Sequence, residues 1–144
     1  MRKAVSGLAL AALLLGSAAV RADDQDVIDY RVHVMKSMAE ELGAINMVLA
    51  KKGPADNLVA HAQALAVTAP QARKAFEPKV AGGKSKPEVW SNWADFAKQL
   101  DALVSQTDEL AKAAKDGGAA AVASKIQSLN CKSCHDTYMV AAKS

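Results

Sequence analysis

Apolar side chains recur at helical spacing along most of the chain. From Asp24 to Lys51, Ile28, Met35, Leu42 and Leu49 repeat every seven residues, and Met38 and Ile45 follow two of them by three. Such a seam packs against neighbouring helices in a bundle. Asp23, Asp24 and Asp26 place negative charge at its start, where a helix favours it. Lys51, Lys52 and Gly53 mark its end. A second helix starts at Pro54 and turns Leu58, His61 or Ala62, Leu65 and Ala69 inward, until Pro70 bends or ends it. Residues 68–87 carry three prolines and a Gly-Gly pair and read as a long connection, with some helical turn around 71–76. A third helix opens on Ser85 and Glu88 as a capping box. Val89, Trp93, Phe96, Leu100, Leu103, Thr107 and Leu110 line it until Asp116-Gly117-Gly118 breaks the pattern. The fourth runs from Ala119 to Ala142 with Val122, Ile126 and Leu129 on its inner stripe. Alternating β-branched runs are missing. The fold class is therefore all-α, an antiparallel four-helix bundle with one long connection.

The first 22 residues do not belong to that pattern. Arg2 and Lys3 precede an apolar run from Ala4 to Leu15, and Val20-Arg21-Ala22 offers a cleavage site. This describes a signal peptide over residues 1–22, removed on export, with the bundle in 23–144. The chain's formal charge of +3 comes from 18 basic and 15 acidic side chains. Arg2, Lys3 and Arg21 leave with the leader, so the mature chain is neutral. That removes any case for nucleic-acid binding, which asks for a basic face. No later segment looks membrane-spanning. A periplasmic location is expected.

The chemistry is concentrated in CKSCH. Cys131 and Cys134 are the only cysteines of the chain, and His135 follows directly. A disulfide between residues this close would constrain little of the fold. Cys-x-x-Cys-His is the attachment signature for c-type haem. Residues three apart share a helix face, so each thiol can form a thioether to one porphyrin, and the adjacent imidazole can reach the iron from the same side. A zinc site needs further ligands, and His33 and His61 make no short ligand pair. A thioredoxin-like thiol pair needs a βαβ setting that this sequence lacks. One covalent haem c per chain is the reading that remains, with His135 as proximal ligand.

The second face of the iron is open to several candidates: Met35, Met38, Met47, Met139, His33 and His61. Met139 lies four residues after His135, on the proximal side. His33 stands about 200° around the helix from Met35 and faces water if Met35 faces the core. His61 has a place on the inner face of the second helix. Met35 and Met38 both sit on the first seam, where packing is the ordinary role of methionine.

These segments resemble the class II cytochromes c, the cytochrome c′ family, over the whole mature chain. CKSCHDTY is similar to its haem-binding segment, KPEVWSNWADF to its third-helix opening, and DYRVHVM to its first-helix motif. The resemblance implies a left-handed four-helix bundle, a homodimer in many members, and a residue over the distal haem face at Met35. It implies that Arg31 approaches a haem propionate. Val32 stands where a glutamine is common, and Met139 where many members carry a base. The family divides into five-coordinate members that bind nitric oxide or carbon monoxide and a low-spin branch with methionine on the iron. An apolar Met139 favours the second. The sequence is therefore read as a periplasmic single-electron carrier serving redox partner proteins, low-spin, with His135 and Met35 as axial ligands. The alternative is a five-coordinate gas-binding protein. No nucleophile–base pair, carboxylate pair or phosphate-binding glycine loop suggests an enzyme.

Overall fold

A computed structural model describes residues 23–141; the expected signal peptide at 1–22 lies outside them. Among the described residues the elements are helix α1 (Asp24–Leu49), a short 3-10 turn (Ala55–Asn57), and helices α2 (Leu58–Phe76), α3 (Glu88–Ser91), α4 (Trp93–Ile126) and α5 (Cys131–Tyr138). The only β pairing there is two isolated bridges, Gly82 to Ser85 and Ser85 to Met139. The expected antiparallel bundle is present. α2 packs on both α1 and α4, and α5 returns along α4. No helix among the described residues is long and apolar enough to cross a membrane.

Asp23 caps α1 in a reciprocal box. Its carboxylate accepts from the Asp26 N–H at 2.8 Å, and Asp26 accepts from the Asp23 N–H at 3.1 Å. The buried face of α1 keeps Met38 and Ile45 of the expected seam and adds Arg31, Val34 and Val48 beside it. Met35, Leu42 and Leu49 are partly buried against the core. Two different surfaces cause this: one side of α1 packs on the bundle, and Met35 and Leu42 border a cleft. α1 also stops at Leu49, and Lys51 rather than Gly53 takes the left-handed conformation, at φ 59°.

Pro70 does not end α2, which continues to Phe76. Pro70 is exposed while Ala62, Leu65, Ala69, Ala72 and Ala75 are buried, so the lost hydrogen bond is outweighed by a continuous packed face. Each fully buried aliphatic here, such as Leu65 or Ile45, contributes about 1.5–3 kcal/mol. Ser85 does not cap the third helix. Its Oγ accepts from Arg31 Nη1 instead, α3 is a single turn, and Asn92 at φ −120°, ψ 45° separates it from α4. The glycine break is present inside α4: Gly118 adopts φ 60°, ψ −150°, a region essentially reserved for glycine.

The expected fourth helix, Ala119 to Ala142, is instead interrupted at 127–130 and ends at Tyr138. Asn130 causes the interruption. Its side-chain nitrogen donates to the Gln99 carbonyl and Oε1 at 2.9 and 3.1 Å, and its N–H donates to Gln106 Oε1 at 2.9 Å. α5 restarts from that anchor on α4.

The 80–86 connection lies close on α1. Gly82 has φ 131°, and a Cβ there would stand 2.7 Å from the tip of Ile28. Gly82→Ala is expected to lower unfolding free energy by about 1–3 kcal/mol through backbone strain. Chemical denaturation checks this. Shortening the neighbour in an Ile28→Val background relieves the clash but leaves the strain.

Candidate functional site

α1, α5 and the 83–85 connection border a cleft of about 680 Å³. This lies within the roughly 300–1,000 Å³ of ordinary ligand pockets. α5 contributes Cys131, Cys134, His135 and Tyr138. α1 contributes Arg31, Met35, Met38 and Leu42. Leu65 and Phe76 from α2 and Phe96, Leu100 and Leu103 from α4 make the apolar floor. Cys131, Cys134 and His135 of the CKSCH segment thus share one face of an eight-residue helix, placed on a largely apolar cleft of a size suited to a flat cofactor, while Lys132 and Ser133 face solvent.

The thiols are half-buried and unpaired in a disulfide. Burial pushes both upward, and Cys134, beside Cys131 and Asp95, reaches about 11. A redox thiol pair needs the opposite, a depressed value. The described residues also contain no cluster of three His, Cys, Asp or Glu side chains arranged for a metal ion, so the donor set does not suit zinc. Neither alternative to haem gains support: the described residues give the thiols no βαβ setting and no three-donor cluster.

Three basic side chains line the cleft, Arg31, Lys36 and Lys84; Lys36 and Lys84 are exposed, whereas Arg31 is buried, 3% exposed. Its guanidinium lies between the rings of Phe76 and Trp90, 4.8 and 5.0 Å from their centroids. Nη1 donates to Ser85 Oγ at 3.1 Å and Nη2 to the Val80 carbonyl at 2.9 Å, while the buried Nε has no partner. Burial lowers its pKa. None of the salt bridges among the described residues includes Arg31. A buried cation with an orphaned N–H and no carboxylate has room for an anionic group. A haem, apolar across its face and carboxylated at its edge, fits both the lining and this unsatisfied donor.

The other candidates separate cleanly. Met38 is buried on the cleft and Met35 is partly buried there. His61 does not line the cleft: its Nδ1 is 2.8 Å from Glu41 Oε2. His33 is exposed, as expected, and Met47 is 54% exposed. Met139 is not on a helix with His135. It follows the end of α5 in extended conformation and bridges to Ser85. Trp90 and Trp93 pack against the core, and the Trp90 N–H donates to the Phe76 carbonyl.

Sequence reasoning missed the supports of α5. Tyr138 is buried, donates to Asp95 Oδ2 at 2.6 Å, and accepts from Asn92 Nδ2 at 3.3 Å. Asn130, Gln99 and Lys86 likewise carried no recognisable signal, because polar residues on helix surfaces ordinarily face solvent.

A sequence model of the cytochrome c′ family matches residues 26–139. The chain belongs to the cytochrome c′ family. Similar proteins include the cytochrome c′ of Rhodospirillum rubrum, 31% identical over 96% of this chain and 98% of that one. That of Alcaligenes xylosoxydans is 28% identical over 81% and 95%. Among solved structures, a nitric oxide complex of a leucine-to-valine variant of the Alcaligenes xylosoxidans protein superposes with TM-score 0.77 at 27% identity, covering 85% of this chain and all of that one. A carbon-monoxide-bound leucine-to-glycine variant gives 0.76, covering 83% and 98%. A covalently attached haem c is the cofactor of the family, and the two cysteines suit it.

These relatives overturn one expectation. A low-spin electron carrier with His135 and Met35 on the iron has no support among them, whereas forms that take diatomic gases do. The cleft is consistent with the correction. Met35 and Met38 stand about one turn apart on α1, with Leu42, Leu65 and Leu100 also lining the cleft, a setting in which methionine fills space.

Burial and the Asp95 carboxylate hold the Tyr138 phenol up at about 12, from 10. A raised value in the folded state stabilises the protonated form, so this contribution is present below pH 10 and is lost as pH rises from 10 to 12. The denaturation midpoint is expected to fall over that window. Tyr138→Phe flattens that part of the fall, measured against wild type so that lysine titration cancels.

Proposed function

We propose that this cytochrome c′ binds nitric oxide or carbon monoxide at a five-coordinate haem iron held by His135. The observation that carries the reading is the match in sequence and fold to cytochromes c′ solved with those gases bound. The haem supplies an iron that takes a diatomic molecule. The chain's own residues do the rest. Cys131 and Cys134 anchor the group through thioethers, His135 holds its iron from α5, and Arg31 offers its unpaired Nε–H to a propionate.

Met35 and Met38 act by filling space on α1. Apolar side chains offer a small uncharged gas no hydrogen bond and exclude water and anions from the same volume. Selectivity for neutral diatomic molecules follows from that polarity. The unbranched thioethers can yield to a gas, so they retard entry rather than forbid it.

The leader over residues 1–22 supports export to the periplasm, and reduction by a redox partner protein belongs to the same reading. Binding, not turnover, is the inferred activity. A second copy of the chain as partner rests on the resemblance alone.

The test is the optical spectrum of the haem-loaded protein. The ferrous form is expected to shift on adding carbon monoxide, and the ferric form to lack the methionine-to-iron band that a low-spin His/Met centre gives. An unshifted ferrous spectrum would refute the reading. Met35→Ala is expected to raise the carbon monoxide association rate about tenfold, the effect of lowering a steric barrier by ~1.4 kcal/mol. Flash photolysis measures it.

A further inference from the structure

α5 ends in an unusual way. The last four carbonyls of a helix have no partner within it. Here His135 O accepts from the Met139 N–H at 3.0 Å. The next three are all satisfied by one residue from a different part of the chain. Lys86 Nζ donates to Asp136 O and Thr137 O, each at 3.0 Å, and the Lys86 N–H donates to Tyr138 O at 2.9 Å. The Val140 N–H returns the tie to Lys84 O at 2.8 Å. Lys86 also borders a second, smaller cleft of about 290 Å³, together with His135, Asp136, Met139 and Ala141.

Charge singles Lys86 out in that cleft. Of its charged lining residues, Asp136 has its carboxylate 2.6 Å from Lys132 Nζ. Lys86 directs its ammonium at backbone carbonyls instead. Those carbonyls belong to the two residues that follow His135. A cation held this way has two consequences. It pins the helix terminus that orients the imidazole, and it keeps a positive charge near the iron's ligand, where it opposes the extra positive charge of ferric iron.

We infer that Lys86 is a positioning residue for His135, fixing the axial imidazole and biasing the iron toward the ferrous state in which carbon monoxide binds. This rests on the reading of His135 as the iron ligand. The sequence hides it, because Lys86 lies 49 residues before His135 in a connection rich in lysine, glycine and proline.

The experiment compares the reduction potential of haem-loaded wild type with Lys86→Met, Lys86→Gln and Lys86→Arg. Gln keeps a hydrogen-bond donor without charge, and Arg keeps both. The Met and Gln proteins are expected to shift toward ferric several-fold in the ferric/ferrous ratio at a given potential, with Arg restoring wild type. If Lys86→Met does not fold, the Gln and Arg proteins decide. A wild-type potential in Lys86→Gln, even with a lower melting temperature, would overturn the inference and leave a merely structural cap. Carbon monoxide binding, read on the same samples, separates this from the function. A gas-binding protein with no shift in potential sinks only the role of Lys86. A shift in a protein that ignores carbon monoxide sinks only the gas-binding reading.

Discussion

The groups that attach the cofactor, Cys131, Cys134 and His135, sit on a helix too short to hold itself. Eight residues, Cys131 to Tyr138, are well below the length at which an isolated helix is stable in water. The structure therefore depends on how α5 is tied down. Asn130 pins its start to Gln99 and Gln106 of α4. Tyr138 buries its ring against Phe96, centroids 5.0 Å apart, and locks its hydroxyl to Asp95. Lys86 closes the C-terminal end. Three polar anchors and one aromatic contact substitute for the length the helix lacks; Lys86 comes from the connection before α3 and the other partners from α4. A haem bound to α5 inherits that rigidity.

The second requirement is a wall for the other side of the cofactor, and α1 provides it. The buried Arg31 binds α1 to the 80–85 connection through Val80 and Ser85, and Ser85 in turn pairs with Met139 just beyond α5. The two haem-facing elements are thus linked through one short connection. The tightness of that connection explains Gly82, whose positive φ and closeness to Ile28 leave no room for a side chain. The proposed preference for small neutral gases fits this arrangement, because the interior of the cleft is made by Met38, Leu65, Phe76, Phe96 and Leu100, and the lining lysines, Lys36 and Lys84, are solvent-exposed.

Much of this was legible from sequence, for definite reasons. The helices follow from three-and-four spacing, since Val89, Phe96, Leu100, Leu103 and Leu110 are core residues in sequence and structure alike. CKSCH was legible because its chemistry is local: one helix face holds thiols and imidazole together. The misreadings came from tertiary effects. An arginine at a core position cannot be recognised from hydropathy, so the seam of α1 read from the sequence holds Met38 and Ile45 but not the buried Arg31, Val34 and Val48 beside them. Ser85 looks like a cap and serves as an acceptor for Arg31. Pro70 looks like a stop, yet the packed face it interrupts on the solvent side is strong enough to continue. The role of Met35 was the hardest to read, because a methionine on a seam has the same pattern whether it binds iron or fills space.

X-ray absorption at the iron edge of the ferrous, haem-loaded protein tests the central claim most directly, because it reports the atoms bound to iron without an added ligand. Five light scatterers, from the porphyrin and the imidazole of His135, are the predicted shell. A sulfur scatterer in that shell would put a methionine on the iron and contradict the account.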